Sequence, residues 1–359
     1  MHISVRRFAA AWIGRPTHRE TPRLGHWSFA TALVVAALVL LPAVAFAHGQ
    51  APIEPTLSTL IDGWTFDVDV WLPVILAALA YWAARNMVDQ RHPANPVPRR
   101  RMWFWFGGLA AIVVALASPI EFYDTTLFSA HMIQHLLLTM VAAPLLALGA
   151  PITLLLRVAS PEARRKWILP VLNSRIVSVI SYPVVAWVLF AGVMWFTHFS
   201  PLFDAALDDF GLHRFEHALY LGSALLFWWP VIGVDPSPHR MTYPGRVLYL
   251  ALGMPLMSLL GMVIFSAQTV LYEHYLTLDR TWGWTPLQDQ QWAGGIMWVG
   301  GDAIFVLALV LTVAAWLQHE ERENLREDAR LARRKAARES AARESASTGS
   351  ATAAGRVEG

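Results

Sequence analysis

The chain has 359 residues, 55% of them hydrophobic and only 15% charged, with a mean hydropathy of +0.41. Soluble domains carry about 25% charge, so the composition points to one polytopic membrane domain instead of two soluble ones. A net charge of +2 gives no ground for nucleic-acid binding, and the absence of cysteine excludes disulfides, thiolate zinc sites, iron–sulfur clusters and c-type haem attachment.

Residues 1–47 read as a leader or signal peptide, or else an uncleaved first helix. Arg6, Arg7, Arg15, Arg19 and Arg23 precede an apolar run from Phe29 to Phe46, and Ala45-Phe46-Ala47 resembles a cleavage site. Cleavage there would leave His48 first, with an amine and an imidazole able to chelate Cu(II). Residues 48–69 form an outer segment. Residues 70–318 form the membrane domain, with seven apolar stretches near the roughly 20 residues that span a bilayer: 70–88, 103–120, 128–150, 178–197, 215–233, 246–268 and 292–317. Pro144 is expected to kink the third. The predicted fold is therefore all-α, with seven transmembrane helices.

The connecting loops alternate in charge. Residues 48–69 hold Glu54, Asp62, Asp67 and Asp69 and no basic residue, whereas the next loop holds Arg91, Arg99, Arg100 and Arg101. Acidic loops with Glu121 and Asp124, with Asp204, Asp208 and Asp209, and with Glu273, Asp279 and Asp289 fall on the first side. Loops with Arg157, Arg164, Arg165, Lys166 and Arg175, and with Arg240 and Arg246, fall on the other. The positive-inside rule then places the N-terminus outside and the C-terminus inside. Residues 319–359 form a charged cytoplasmic tail, helical at first and disordered from Ser345 onward by composition.

This topology turns a spacing into a candidate site. His131 and His135 lie four residues apart at the head of the third stretch, and His213 and His217 repeat the spacing at the head of the fifth. Residues i and i+4 share a helix face, and imidazoles in a membrane helix need a partner or a task. His198, His274 and His48 fall on the same outer side, against only His92, His239 and His319 inside. Two facing pairs can hold a metal, or ligate haem axially in a bundle core. Met132, Met194 and Met297 offer thioethers that suit Cu(I), though methionine is also a common gap-filler. Asp289 begins the polar edge of the last stretch. Asp302 falls near mid-membrane, where a carboxylate costs roughly 2.5–3.5 kcal/mol on insertion scales unless protonated or hydrogen-bonded. Gly294, Gly295, Gly300 and Gly301 around it would allow close helix approach.

Three stretches resemble the multi-span CtaG family of cytochrome c oxidase assembly factors: His131-Met-Ile-Gln-His135 running to Pro144-Leu-Leu-Ala-Leu-Gly-Ala-Pro151, the region from His198 to His217, and Asp289-Gln-Gln-Trp-Ala-Gly-Gly-Ile-Met-Trp298. The resemblance covers about residues 65–317. It implies a seven-span, non-enzymatic protein of the bacterial inner membrane, needed to make active oxidase and acting through copper. Its partners would be oxidase subunits or other copper-assembly proteins. On that basis the metal ligands are expected to be His131, His135, His213 and His217, assisted by Met297, Asp289 or His198, in a partly open site from which copper can be delivered. Two rival functions are a haem-binding membrane redox protein and a copper or proton transporter. Neither H-E-x-x-H nor G-x-S-x-G occurs, which argues against a hydrolase.

Overall fold

The computed structural model describes the backbone of residues 53–354 and the side chains of residues 53–339. The leader, its cleavage site and His48 lie outside the described residues. Those described are helical, with no strand among them.

The principal helices are α1 (Val68–Arg91), α2 (Arg99–Ala117), α3 (Phe128–Leu136), α4 (Pro183–His198), α5 (Phe210–Ile232), α6 (Tyr243–Ser266) and α7 (Pro286–Gly295). Two of them pass through wide π turns before continuing. α3 runs through Leu137–Ala142 into Ala143–Leu148, and α7 runs through Ile296–Gly300 into a helix Gly301–Ala354. Pro144 stands just past the first π turn. Proline lacks an N–H and crowds the carbonyl four residues back. A locally wider turn accommodates both.

Among the described residues, five helical stretches are long and apolar enough to cross a membrane: Val68–Arg91, Arg99–Tyr123, Phe128–Val158, Tyr243–Ser266 and Pro286–Glu339. A sixth is counted if α4 and Leu202–Asp208, bent by 69°, act as one span. The count is thus lower than the seven expected. The stretch predicted at 178–197 is broken at Ser181–Tyr182, because Pro183 disfavours helical geometry in the residue before it, and Tyr182 adopts ψ 127. α4 is left with 16 residues, short of the roughly 20 that a bilayer asks for. α5 has 23 residues, yet it carries His213, Arg214, Glu216 and His217 near its start, and these dilute its apolarity.

The interior is mostly apolar, yet large apolar side chains also cover the outer surface and several ionisable groups are enclosed. Leu248, Leu252, Val188, Phe196, Leu259 and Val263 are exposed, while five histidines, Glu121, Asp124, Gln134 and Glu216 are buried. That is the arrangement expected when hydrocarbon surrounds the fold.

α6 and α7 meet backbone to backbone. A Cβ on Gly294 would lie 2.4 Å from the Phe265 nitrogen, and one on Gly261 would lie 2.7 Å from the Trp298 nitrogen. Of the four glycines expected to permit close packing, Gly294 meets backbone. Gly300 would meet Leu136 Cδ1 at 3.2 Å, Gly295 has ordinary clearance, and Gly301 meets nothing within 4 Å. Asp302 accepts from Ser258 Oγ at 2.6 Å, so its polarity is answered by the neighbouring helix.

The chain divides into two units, the first running to Val306 and the second from Leu307. The second is helical to Ala354, past Ser345, where composition led us to expect disorder. Its solvated part is braced locally, with Arg326 Nη1 2.5 Å from Glu323 Oε1 and Trp316 Nε1 donating to Glu320.

Candidate metal centre

The two histidine pairs face each other. His131 and His135 project from α3, and His213 and His217 from α5. Imidazole centroids are 4.2 Å apart for His131–His135, 4.3 Å for His213–His217, 5.1 Å for His131–His213 and 5.7 Å for His135–His217. His131 Nε2 and His135 Nε2 share one hydrogen bond of 2.8 Å, so one donates and the other accepts. His131 is fully enclosed, and the other three are at most 4% exposed.

Two carboxylates join them. Glu216 Oε2 lies 3.8 Å from His131 Nε2, and Asp124 Oδ2 lies 3.6 Å from His213 Nε2. Three overlapping sets of ligand atoms fall within 4.8 Å of one another: His131, His135 and His217; Asp124, His213 and His217; and His131, His213 and Glu216. Two nitrogens bound to one ion at about 2.0–2.1 Å in a tetrahedron stand roughly 3.3 Å apart. The observed spacings bracket that value, so small side-chain shifts would convert any of the three sets into a chelate.

Buried polar groups are normally hydrogen-bonded. Neither ring nitrogen of His217 has a hydrogen-bond partner, nor does His135 Nδ1. His198 is oriented by the carbonyl of Met194, 2.7 Å from its Nδ1. A carbonyl only accepts, so Nδ1 carries the hydrogen and Nε2 keeps its lone pair. That Nε2 is also buried without a partner, and the His198 ring lies 6.2 Å from that of His135.

Beyond the imidazoles is a charged collar. Arg214 reaches Asp67, Asp69 and Glu121 at 3.4, 3.2 and 3.5 Å. Gln134 Nε2 donates to Glu121 Oε2 and to the carbonyl of Ala115. Asp124, in the turn before α3, has its carboxyl pushed well above the usual range by burial and then by the neighbouring Glu121. A cation placed here would reverse that pressure, because opposite charge favours the ionised form.

The remaining predicted ligands lie elsewhere. Asp289 Oδ2 accepts from the Phe128 backbone N–H at 2.7 Å, and Oδ1 accepts from Ser129 Oγ at 2.5 Å. It thereby caps the start of α3, whose own N-cap residue, Leu127, cannot. A carboxylate at that end also complements the helix dipole. Asp289 therefore positions His131 from another helix, and both of its oxygens are engaged. Replacing it by Ala would leave a buried N–H unpaired at a cost of about 1–3 kcal/mol. Asp289→Ala is expected to lower the unfolding temperature and weaken metal binding, and Asp289→Asn, which keeps one acceptor, to do less. Thermal unfolding in detergent with and without metal checks both. Met297 lies one layer away, in a cavity described below. His274 is held by Asp208 Oδ1 and the carbonyl of Thr125 at 2.8 and 2.9 Å.

The expected partial opening is absent. Phe203 packs at a tilt against His131 and His198, with ring centroids 5.0 and 5.4 Å apart. The loop between α6 and α7 covers the site, with Tyr272 donating to the carbonyl of His198 and Tyr275 to that of Asp124. Burial pushes both phenols upward, so they remain neutral donors that hold the loop down.

Glu216 and Asp124 were not anticipated as members of the site. Glu216 had a signal: His213-Arg-Phe-Glu-His217 is the inverse of H-E-x-x-H and places a carboxylate on the same helix face. Asp124 had none beyond its charge, since only the fold of the turn brings it to His213.

The family described as cytochrome c oxidase caa3 assembly factor matches residues 79–319. The chain belongs to that family. All six clustered residues and Asp289 fall inside the match, so the site lies wholly within the assembly-factor domain. An uncharacterized protein of Mycobacterium bovis and one of Mycobacterium tuberculosis are each 32% identical over 290 residues, covering 79% of this chain and 44% of theirs. One from Mycobacterium leprae is 29% identical over the same share. The chain thus spans under half the length of these relatives. No solved structure matches it.

Proposed function

We propose that this assembly factor binds a copper ion through His131, His135, His213 and His217 and passes it to cytochrome c oxidase, directly or through other copper-assembly proteins. The observation that carries this is the unpartnered state of both His217 nitrogens within a buried cluster whose ligand atoms lie 4.8 Å or less apart. Such groups are costly without a ligand. Imidazole suits copper in either redox state, and the lack of thiolate fits an oxidising exterior. Glu216 and Asp124 would balance the ion's charge. The alternating arginines support seven spans in a bacterial inner membrane, with the site near the outer face and α5 as the span that hydropathy undercounts. Release would then require the Tyr272–Tyr275 loop to lift, which makes that loop the natural point of contact for an oxidase subunit.

Haem fits less well. The facing rings of His131 and His213 are stacked with centroids 5.1 Å apart, which leaves no room for a macrocycle between them. Transport through Asp302 also loses support, because that carboxylate is paired with Ser258. Elemental analysis and an absorbance spectrum of the purified full chain test the proposal. Copper without a Soret band is expected. Zinc alone, or a Soret band with reducible α and β bands, would overturn it.

A further inference from the structure

A second layer of soft ligands lies just beyond the imidazoles. Five methionines, Met132, Met140, Met194, Met257 and Met297, together with His135, wall a cavity of about 20 Å³, enough for one water-sized body. They come from four helices: α3 and its continuation, α4, α6 and α7. All five are buried, at 5% exposure or less, and they make up five of the chain's eleven methionines. The cavity is bordered by the π turns of α3 and α7, since Met140 lies in the one and Met297 in the other. Such turns recur at functional sites. They rotate the side chains that follow, and here they turn Met140 and Met297 toward one space.

We propose that this cavity is a second metal site, selective for a soft monovalent cation of the Cu(I) class, and placed in series with the imidazole site through the shared His135. The inference deepens the copper reading above but rests on a different donor set. Thioether sulfur prefers Cu(I) over Cu(II) and over zinc. No carboxylate lines the space, so a divalent ion would find no charge balance there. His135 reaches both sites: its Nε2 is shared with His131, while its Nδ1 is buried without a partner. His198 Nε2, equally unpartnered, belongs to the residue four after Met194 on α4. The proposal concerns binding alone and transfers no electron.

Silver(I), a redox-inert stand-in for Cu(I), provides the probe for the full chain in detergent. Silver binding by the wild type should show sulfur scattering in X-ray absorption. Met257→Leu/Met297→Leu, a volume-conserving change, should lose that signal while retaining copper on imidazole nitrogen. Gly301 is buried, lines the cavity and has nothing within 4 Å of its Cβ position, so Gly301→Ala should exclude silver with every sulfur still in place. His131→Ala/His217→Ala should keep the silver–sulfur signal. Silver bound by the wild type without sulfur scattering, or held unchanged by both the methionine pair variant and Gly301→Ala, would overturn the second site. Silver–sulfur scattering in a wild type that holds no copper on nitrogen would instead overturn the imidazole reading and leave this one standing.

Discussion

His131→Ala/His217→Ala is expected to abolish copper binding on imidazole nitrogen and, in cells, the oxidase activity that depends on this protein. The two residues come from opposite helices, and together they enter all three sets of ligand atoms that lie within 4.8 Å, so no intact chelate survives. Loss of groups that only orient a ligand costs about 10–100-fold in metal affinity, and loss of two ligands should exceed that. The metal-free protein should tolerate the change better than a typical core truncation. Both nitrogens of His217 already lack partners, and removing an unsatisfied polar group offsets part of the cavity it leaves. The decisive comparison is thermal unfolding with and without Cu(II), which the thioether cavity does not favour. The wild type should gain about 2.7 kcal/mol at a hundredfold excess over Kd, and the variant should gain nothing. A variant that keeps its nitrogen-bound copper would remove these imidazoles from the site.

Gly294→Val should have the largest effect on folding. Its Cβ would sit 2.4 Å from the Phe265 nitrogen and 2.7 Å from the Gly261 carbonyl oxygen. Both are backbone atoms, unable to rotate away. Overpacking costs about 1–3 kcal/mol even where side chains can adjust, so here α6 and α7 must separate. Displacing α7 also withdraws Asp289 from the head of α3 and Met297 from the cavity. Little folded protein should be recovered from membranes, and what remains should unfold at a lower temperature and bind metal weakly. Gly295→Ala is the matched control. Its nearest neighbour would be Phe265 Cδ2 at 3.7 Å, an ordinary contact, and it should behave as wild type. Equal recovery of the two variants would show that the close approach does not matter.

Much of this protein is legible along the chain because its strongest signals are local. Helix periodicity relates His131 to His135 and His213 to His217 without any knowledge of their surroundings. Apolar run length finds the helices, and loop arginines order them. The same locality explains the misses. The apolar stretch at 215–233 does anticipate α5, but the helix as a whole falls below the apolarity of a membrane span because it carries His213, Arg214, Glu216 and His217. The helix richest in chemistry is thus the one a hydropathy average undervalues. Asp289 has the charge and depth of a ligand, and nothing near it in the chain shows that Phe128 and Ser129, some 160 residues earlier, engage both of its oxygens.

Composition and periodicity therefore establish an all-helical membrane protein with two pairs of imidazoles on one side, since hydrophobicity and helical spacing are properties of neighbouring residues. Packing alone determines that the pairs converge, that Glu216 and Asp124 join them, that an aromatic loop covers them and that five methionines gather beside His135. Each of these depends on which helix faces lie within a few ångströms, a distance that contacts between remote residues set.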